Sequence, residues 1–313
     1  MSKIKRSLSD ALSLAKQTFK RFGQREPFRN AAVVAYFAVF SLPGLLVIVI
    51  NVAGYFMGRD ELQDLVTGEV REMIGGQAAQ DIERIISNAQ QNENTTLASI
   101  ISIVTLVFGA TGIFYHLQKT LNIMWEVKPE PKQKLLKVLK DRLFSFGMIL
   151  VAGFLMIISL LISTMLSAVS SWVSGNFFSD AVVLIQILEF LLSMAVITVM
   201  FAAMFKFLPD AILQWRDVWV GAIVTTVLFL IAKYVLSFYF GEAEPGSVYG
   251  AASSLVLILL WVTYTGMILL LGAEFTRTYA DHHGSEIRLP EHATWRGRDD
   301  EGADQNPAQR KRK

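Results

Sequence analysis

Residues 251–273, AASSLVLILLWVTYTGMILLLGA, run the length of a membrane crossing without one charged side chain. A helix of that length, rising about 1.5 Å per residue, reaches roughly 34 Å, enough for the hydrocarbon core of a bilayer at about 30 Å. Working outward, similar apolar runs fall at 31–57, 97–117, 143–169, 181–205 and 218–240. The chain is 53% hydrophobic and 18% charged, and its apolar residues gather in blocks instead of alternating with polar ones. The sequence therefore predicts an all-α, polytopic membrane bundle of six transmembrane helices, with both termini on one side. The first run is too long for the core of a cleavable signal peptide and has no convincing small-residue cleavage site, so it reads as a retained span.

Lysine and arginine set the expected orientation. Residues 1–30 hold Lys3, Lys5, Arg6, Lys16, Lys20, Arg21, Arg25 and Arg29 against Asp10 and Glu26, and the connection after the second run adds Lys128, Lys132, Lys134, Lys137, Lys140 and Arg142. The connection after the first run instead carries Asp60, Glu61, Asp64, Glu69, Glu72, Asp81, Glu83 and Glu93 against Arg59, Arg71 and Arg84. The other two connections on that side, 170–180 and 241–250, have no lysine or arginine. Both termini are thus expected on the cytoplasmic side of the membrane.

Three domains follow: a cytoplasmic amphipathic helix over 1–30, a six-span membrane domain over 31–278 with an outer helical insert at 58–94, and a disordered cytoplasmic tail over 279–313. In the first, Ile4, Leu8, Ala11, Leu12, Ala15, Phe19 and Phe22 recur at helical spacing among basic residues, as for a helix on an anionic leaflet or one packed on the bundle. In the insert, Leu62, Leu65, Val66, Met73 and Ile74 precede Gly75 and Gly76, and Ile82, Ile85 and Ile86 follow, which predicts two short amphipathic helices. The tail is polar, mixed in charge and without an apolar period.

The absence of cysteine excludes disulfides, thiolate metal sites and a cysteine nucleophile. No G-x-S-x-G, H-E-x-x-H or P-loop pattern occurs, so no enzymatic activity, cofactor or metal is expected. His282, His283 and His292 lie in the tail, where a solvated linker explains them better than a metal site, and only His116 is near a span. Basic residues of the inner segments follow from topology, so no nucleic-acid partner is expected.

Polar residues inside the spans carry more information. Glu189 lies roughly 12 Å and Lys233 roughly 10 Å below the outer surface at about 1.5 Å per residue. Matching depths predict a polar cluster of the two, with Gln186 one turn from Glu189; the alternative is that Lys233 snorkels outward while Glu189 is protonated or faces a crevice. Pro43 and Gly44 interrupt the first span, either as a hinge or as a packing adjustment. Gly246 and Gly250 have the spacing that lets another backbone approach, and Glu274 ends the sixth span within reach of an arginine such as Arg277 or Arg29.

The run AAVVAYFAVFSLPG at 31–44 resembles the first span of the YihY/BrkB family of bacterial inner-membrane proteins. Gly109-Ala110-Thr111-Gly112 with Leu117-Gln118, Leu121-Asn122 and Trp125 is similar to its second-span signature. Leu208-Pro209-Asp210, Trp215-Arg216-Asp217-Val218 and Gly221 resemble its inner loop; Tyr239, Gly246-Ser247-Val248-Tyr249-Gly250 and Gly272-Ala273-Glu274 resemble its last outer loop and sixth span. Residues 59–94 and the tail follow no pattern of the family. The resemblance implies a role in envelope integrity or in export of lipid-like molecules. It also brings an old ribonuclease label, whose catalytic residues the sequence does not display. The expected function is therefore transport or presentation of an amphipathic envelope molecule, a lipid or lipid-linked precursor. A scaffold for an envelope assembly is the alternative. Expected partners are membrane lipids, envelope proteins through 58–94, and a second copy in a homo-oligomer.

Overall fold

The computed structural model describes residues 2–91, 96–129, 179–243, 249, 252–283 and 293–295; the span expected at 143–169, and Gly246, Gly250 and His292, lie outside them. Among the described residues there are eight helices: α1 Ser2–Gln24, α2 Pro27–Met57, α3 Arg59–Ile74, α4 Gly76–Gln91, α5 Thr96–Met124, α6 Ser179–Phe207, α7 Trp215–Ala243 and α8 Ser253–His282. Stretches of α6, α7 and α8, at Ile185–Phe207, Trp215–Glu242 and Ser253–His282, are long and apolar enough to cross a membrane. The first two expected spans fall in α2 and α5, of 31 and 29 residues.

Lipid supplies no hydrophobic drive between helices, so close packing between small residues has to hold them. A Cβ on Gly112 of α5 would overlap the Phe37 ring of α2, and one on Gly109 would lie 2.6 Å from Ser41 Cβ. The two helices are antiparallel, since Phe37 meets the later glycine and Ser41 the earlier. Helices α7 and α8 meet by a reciprocal device. Gly221 of α7 faces Thr276 of α8, and Gly272 of α8 faces Thr225 of α7, each glycine giving the space its opposite threonine fills. Both threonine hydroxyls turn back on their own helix, Thr225 Oγ1 donating to Gly221 O and Thr276 Oγ1 to Gly272 O, each at 2.7 Å. Neither leaves a polar group bare in the packed interface. Next door, Thr198 Oγ1 of α6 donates to Thr226 Oγ1 of α7 at 3.0 Å.

The two expected short helices, α3 and α4, form a hairpin, with Gly75 at φ 108°, a left-handed conformation natural to glycine, making the turn. Its apolar side buries Leu62, Ile82 and Ile86 against Leu42 and Leu46 of α2 and Ile258 of α8. Ile74 and Ala78 join Leu236, Phe240, Leu257 and Trp261. The hairpin thus covers the end of the bundle where α7 finishes and α8 begins. At the opposite end, the terminal end, α1 meets the last turns of α8.

Two expected boundaries change. The first helix stops at Gln24 and Phe28, Arg29 and Asn30 belong to α2, because Glu26 takes φ 49° and Pro27, which needs no backbone donor, opens the next helix. The tail expected to be disordered from 279 is ordered in part: α8 continues to His282, and β2 (Ala293–Trp295) pairs antiparallel with β1 (Val127–Pro129), Val127 opposite Trp295. Thr294 and Trp295 suit a strand. The open edge of the short segment after α5 gives them a partner that local sequence does not reveal.

Candidate functional site: an arginine clamp at the terminal end

Helix α5 ends at Met124; the Glu126 N–H still closes a turn onto Ile123 O, but the last carbonyl groups keep acceptor capacity beyond the helix. Two arginines from distant parts of the chain supply the donors. Arg25, just after α1, donates from Nη1 to Ile123 O, and Arg277 of α8 donates from Nη1 to Met124 O at 2.8 Å. Positive charge at a helix C-terminus is also favoured by the helix dipole. Glu126, two residues on, takes one arginine with each carboxylate oxygen: Arg25 Nη2 to Oε1 at 2.8 Å and Arg277 Nη2 to Oε2 at 2.7 Å. Glu126 has φ 54°, rarely adopted by a side-chain-bearing residue, so backbone strain accompanies the bridge. Burial pushes its carboxyl pKa up, but Arg277 and Arg25 outweigh burial and hold it below the ordinary carboxylate range.

Behind the bridge lies Glu274 of α8, with no exposed surface. Its Oε2 is 3.0 Å from Arg25 Nε as an ion pair without hydrogen-bond geometry, and among the described residues neither of its carboxylate oxygens has a hydrogen-bond donor. Arg21 of α1 closes the outer side with Asp281 of α8 at 2.7 Å, and Arg277 Nε lies 3.8 Å from the same carboxylate. Arg21, Arg25 and Arg277 thus balance Glu126, Glu274 and Asp281. This neutral network ties α1, α5 and α8 together.

A second polar contact sits alongside. Asn122 Nδ2 donates to Asp210 Oδ2 and the Asp210 backbone N–H donates to Asn122 Oδ1, both at 2.8 Å, while Gln118 Nε2 approaches the same carboxylate at 3.4 Å. These bonds fasten the loop between α6 and α7 to α5. Trp125, Leu121, Leu208 and Val218 fill the apolar core of this end. The motifs Leu117-Gln118, Leu121-Asn122, Trp125 and Leu208-Pro209-Asp210, separate in sequence, are therefore one place in the fold. The family described as Virulence factor BrkB matches residues 18–296. This chain belongs to that family.

Among BrkB-family relatives, UPF0761 membrane proteins from Teredinibacter turnerae, Rhodospirillum centenum and Xanthomonas axonopodis are each 24% identical, over 90%, 90% and 91% of this chain. It spans 64%, 60% and 66% of their respective lengths, less than two thirds of each. No solved structure matches it. The BrkB-family chain is thus a membrane protein whose relatives' names assign no reaction.

The expected site residues fall in several places. Glu274 does meet an arginine, but it is Arg25; Arg277 turns to Glu126, and exposed Arg29 pairs with Glu26 at 2.5 Å. Lys233 Nζ lies 3.9 Å from Glu72 Oε1 of α3, and Ser237 Oγ donates to Glu72 O at 2.7 Å, so this stretch of α7 faces the hairpin. Glu189 is half-buried on α6 and Gln186 exposed. Pro43 is an exposed residue within α2, which continues through Pro43 and Gly44 to Met57. His116 stacks on Phe37, with ring centres 5.0 Å apart, and His283 stacks on Tyr279 at the end of α8. Sequence reasoning missed Arg25 and Glu126 as site residues. The available signal was that each stands at a helix break, Arg25 two residues before Pro27 and Glu126 directly after Trp125.

Proposed function

We propose that this protein moves or presents an amphipathic envelope molecule, a lipid or lipid-linked precursor, at the bacterial inner membrane, and that the clamp is the closure of one end of its path. The clamp is the observation that carries this reading. Taking charges out of water is expensive, and an apolar contact of the same size would often hold three helices at least as well. Three arginines and three carboxyl groups at one helix junction suit a contact that must part and re-form. Charge pairs also mark the pathways of membrane transporters more than their inert walls. No nucleotide-binding motif is present, so the drive would be an ion gradient, a partner or the gradient of the lipid itself.

The test is reconstitution in vesicles with a fluorescent phosphatidylglycerol and an imposed proton or sodium gradient. The protein should move the probe several-fold faster than empty vesicles, and Glu274→Gln, which keeps shape but removes charge from the clamp, should lower that rate with insertion intact. Wild-type vesicles that match empty ones in either gradient would sink the reading. A scaffold is favoured by one feature, the exposed acidic residues Asp60, Asp64, Glu72 and Glu83 on the α3–α4 hairpin, which outnumber its exposed Arg71 and Arg84 and suit a basic envelope protein.

A further inference from the structure

Helix α1 has three faces. Thr18 is buried and Phe22 packs into the terminal-end core, while Arg21 reaches Asp281, so one face rests on the bundle. Leu12 and Phe19 point elsewhere, 65% and 62% exposed. Seven residues apart, they project within about 20° of each other at 3.6 residues per turn. Lys16 and Lys20, also exposed, project roughly 60° and 100° from Phe19. Exposed Ser13, Gln17 and Gln24 come next and complete a water-facing side. A leucine and a phenylalanine left in water would be unfavourable, and lysines flanking such a stripe extend their charge to lipid phosphates while their stems lie on the acyl chains. Helix α2 begins at Pro27, so α1 is held at the end of an apolar helix, within reach of a bilayer surface.

We infer that α1 is an in-plane anchor that docks on anionic phospholipid headgroups of the adjoining leaflet, Leu12 and Phe19 entering the acyl boundary and Lys16 and Lys20 pairing with phosphates. The other face of the same helix sets Arg21, and the residue after its end, Arg25, against α8, so lipid contact and clamp share one rigid element. This inference stands without the transport reading, because it concerns a surface and not a path.

The absence of cysteine makes the test direct. A nitroxide is placed at Phe19→Cys, and at Gln17→Cys as a water-facing control, in the full chain in nanodiscs of phosphatidylglycerol or of phosphatidylcholine. In phosphatidylglycerol the label at 19 should be relaxed mainly by oxygen and little by a water-soluble nickel chelate. In phosphatidylcholine the chelate should gain several-fold, and the label at 17 should stay water-exposed in both. Lys16→Gln with Lys20→Gln should abolish the difference between lipids, as should high salt. Amide exchange over residues 10–24 of the unmodified protein should likewise be slower in phosphatidylglycerol, a readout independent of any variant. The inference is overturned if the label at 19 is water-exposed in both lipids, equally deep in both, or broadened by a second copy.

Discussion

Glu274 has no exposed surface; among the described residues it accepts no hydrogen bond, and its nearest cation is Arg25, 3.0 Å away. Removing that cation strands the carboxylate, so Arg25→Ala should destabilise the protein by about 3–5 kcal/mol. Arg25→Lys should recover little, because one ammonium cannot reach Ile123 O, Glu126 and Glu274 from the positions a guanidinium spans. Glu274→Ala added to Arg25→Ala should lose less than the sum of the single losses. Thermal unfolding of the four proteins in detergent measures this, and additive losses would show that the two groups do not depend on each other. Part of the arrangement was legible. Glu274 stands at the end of an uncharged run, where an arginine partner is the natural expectation. Which arginine was not legible, because Arg29 and Arg277 are equally reasonable by charge, and only the break at Glu26 and Pro27 turns Arg25 inward.

The helices were legible for a simple reason: long uncharged runs leave few other solutions for a backbone that must satisfy itself in lipid. How helices meet was harder to read. Depth along a helix follows from residue count, but direction around it does not, and Lys233 turns toward Glu72 of α3, a helix the depth argument left out. The glycines show the same limit. Gly221 and Gly272 look like ordinary small residues until α7 and α8 are set antiparallel with Thr276 and Thr225 opposite them. A Cβ at Gly272 would lie 2.8 Å from both Thr225 Cβ and Cγ2, so rotating the hydroxyl alone gives no relief. Gly272→Ala should therefore cost about 1–3 kcal/mol, the usual penalty of overpacking. Thr225→Gly in the same chain should restore part of it, since it vacates the opposing space. Thermal stability of the single and double variants checks this, and an unchanged Gly272→Ala would mean that the helices meet less closely than the pairing requires.

At the scale of the whole molecule, charge separates the two ends. The terminal end carries the exposed Lys16 and Lys20 of α1, whereas the hairpin presents Asp60, Asp64, Glu72 and Glu83. Lysine and arginine beside a span hold it on the cytoplasmic side during insertion, while acidic residues have little influence. The terminal end, with the clamp, should then face the cytoplasm and the hairpin the outside. Because the chain has no cysteine, single replacements report orientation without background. Asp64→Cys and Glu83→Cys, both at exposed hairpin positions, should react with an impermeant maleimide in intact spheroplasts. Gln17→Cys and Trp215→Cys, exposed at the other end, should react only after the membrane is opened. Reaction at position 17 or 215 in sealed spheroplasts would reverse the orientation. The basic face of α1 would then meet the outer leaflet, and the clamp would close the opposite end of the proposed path.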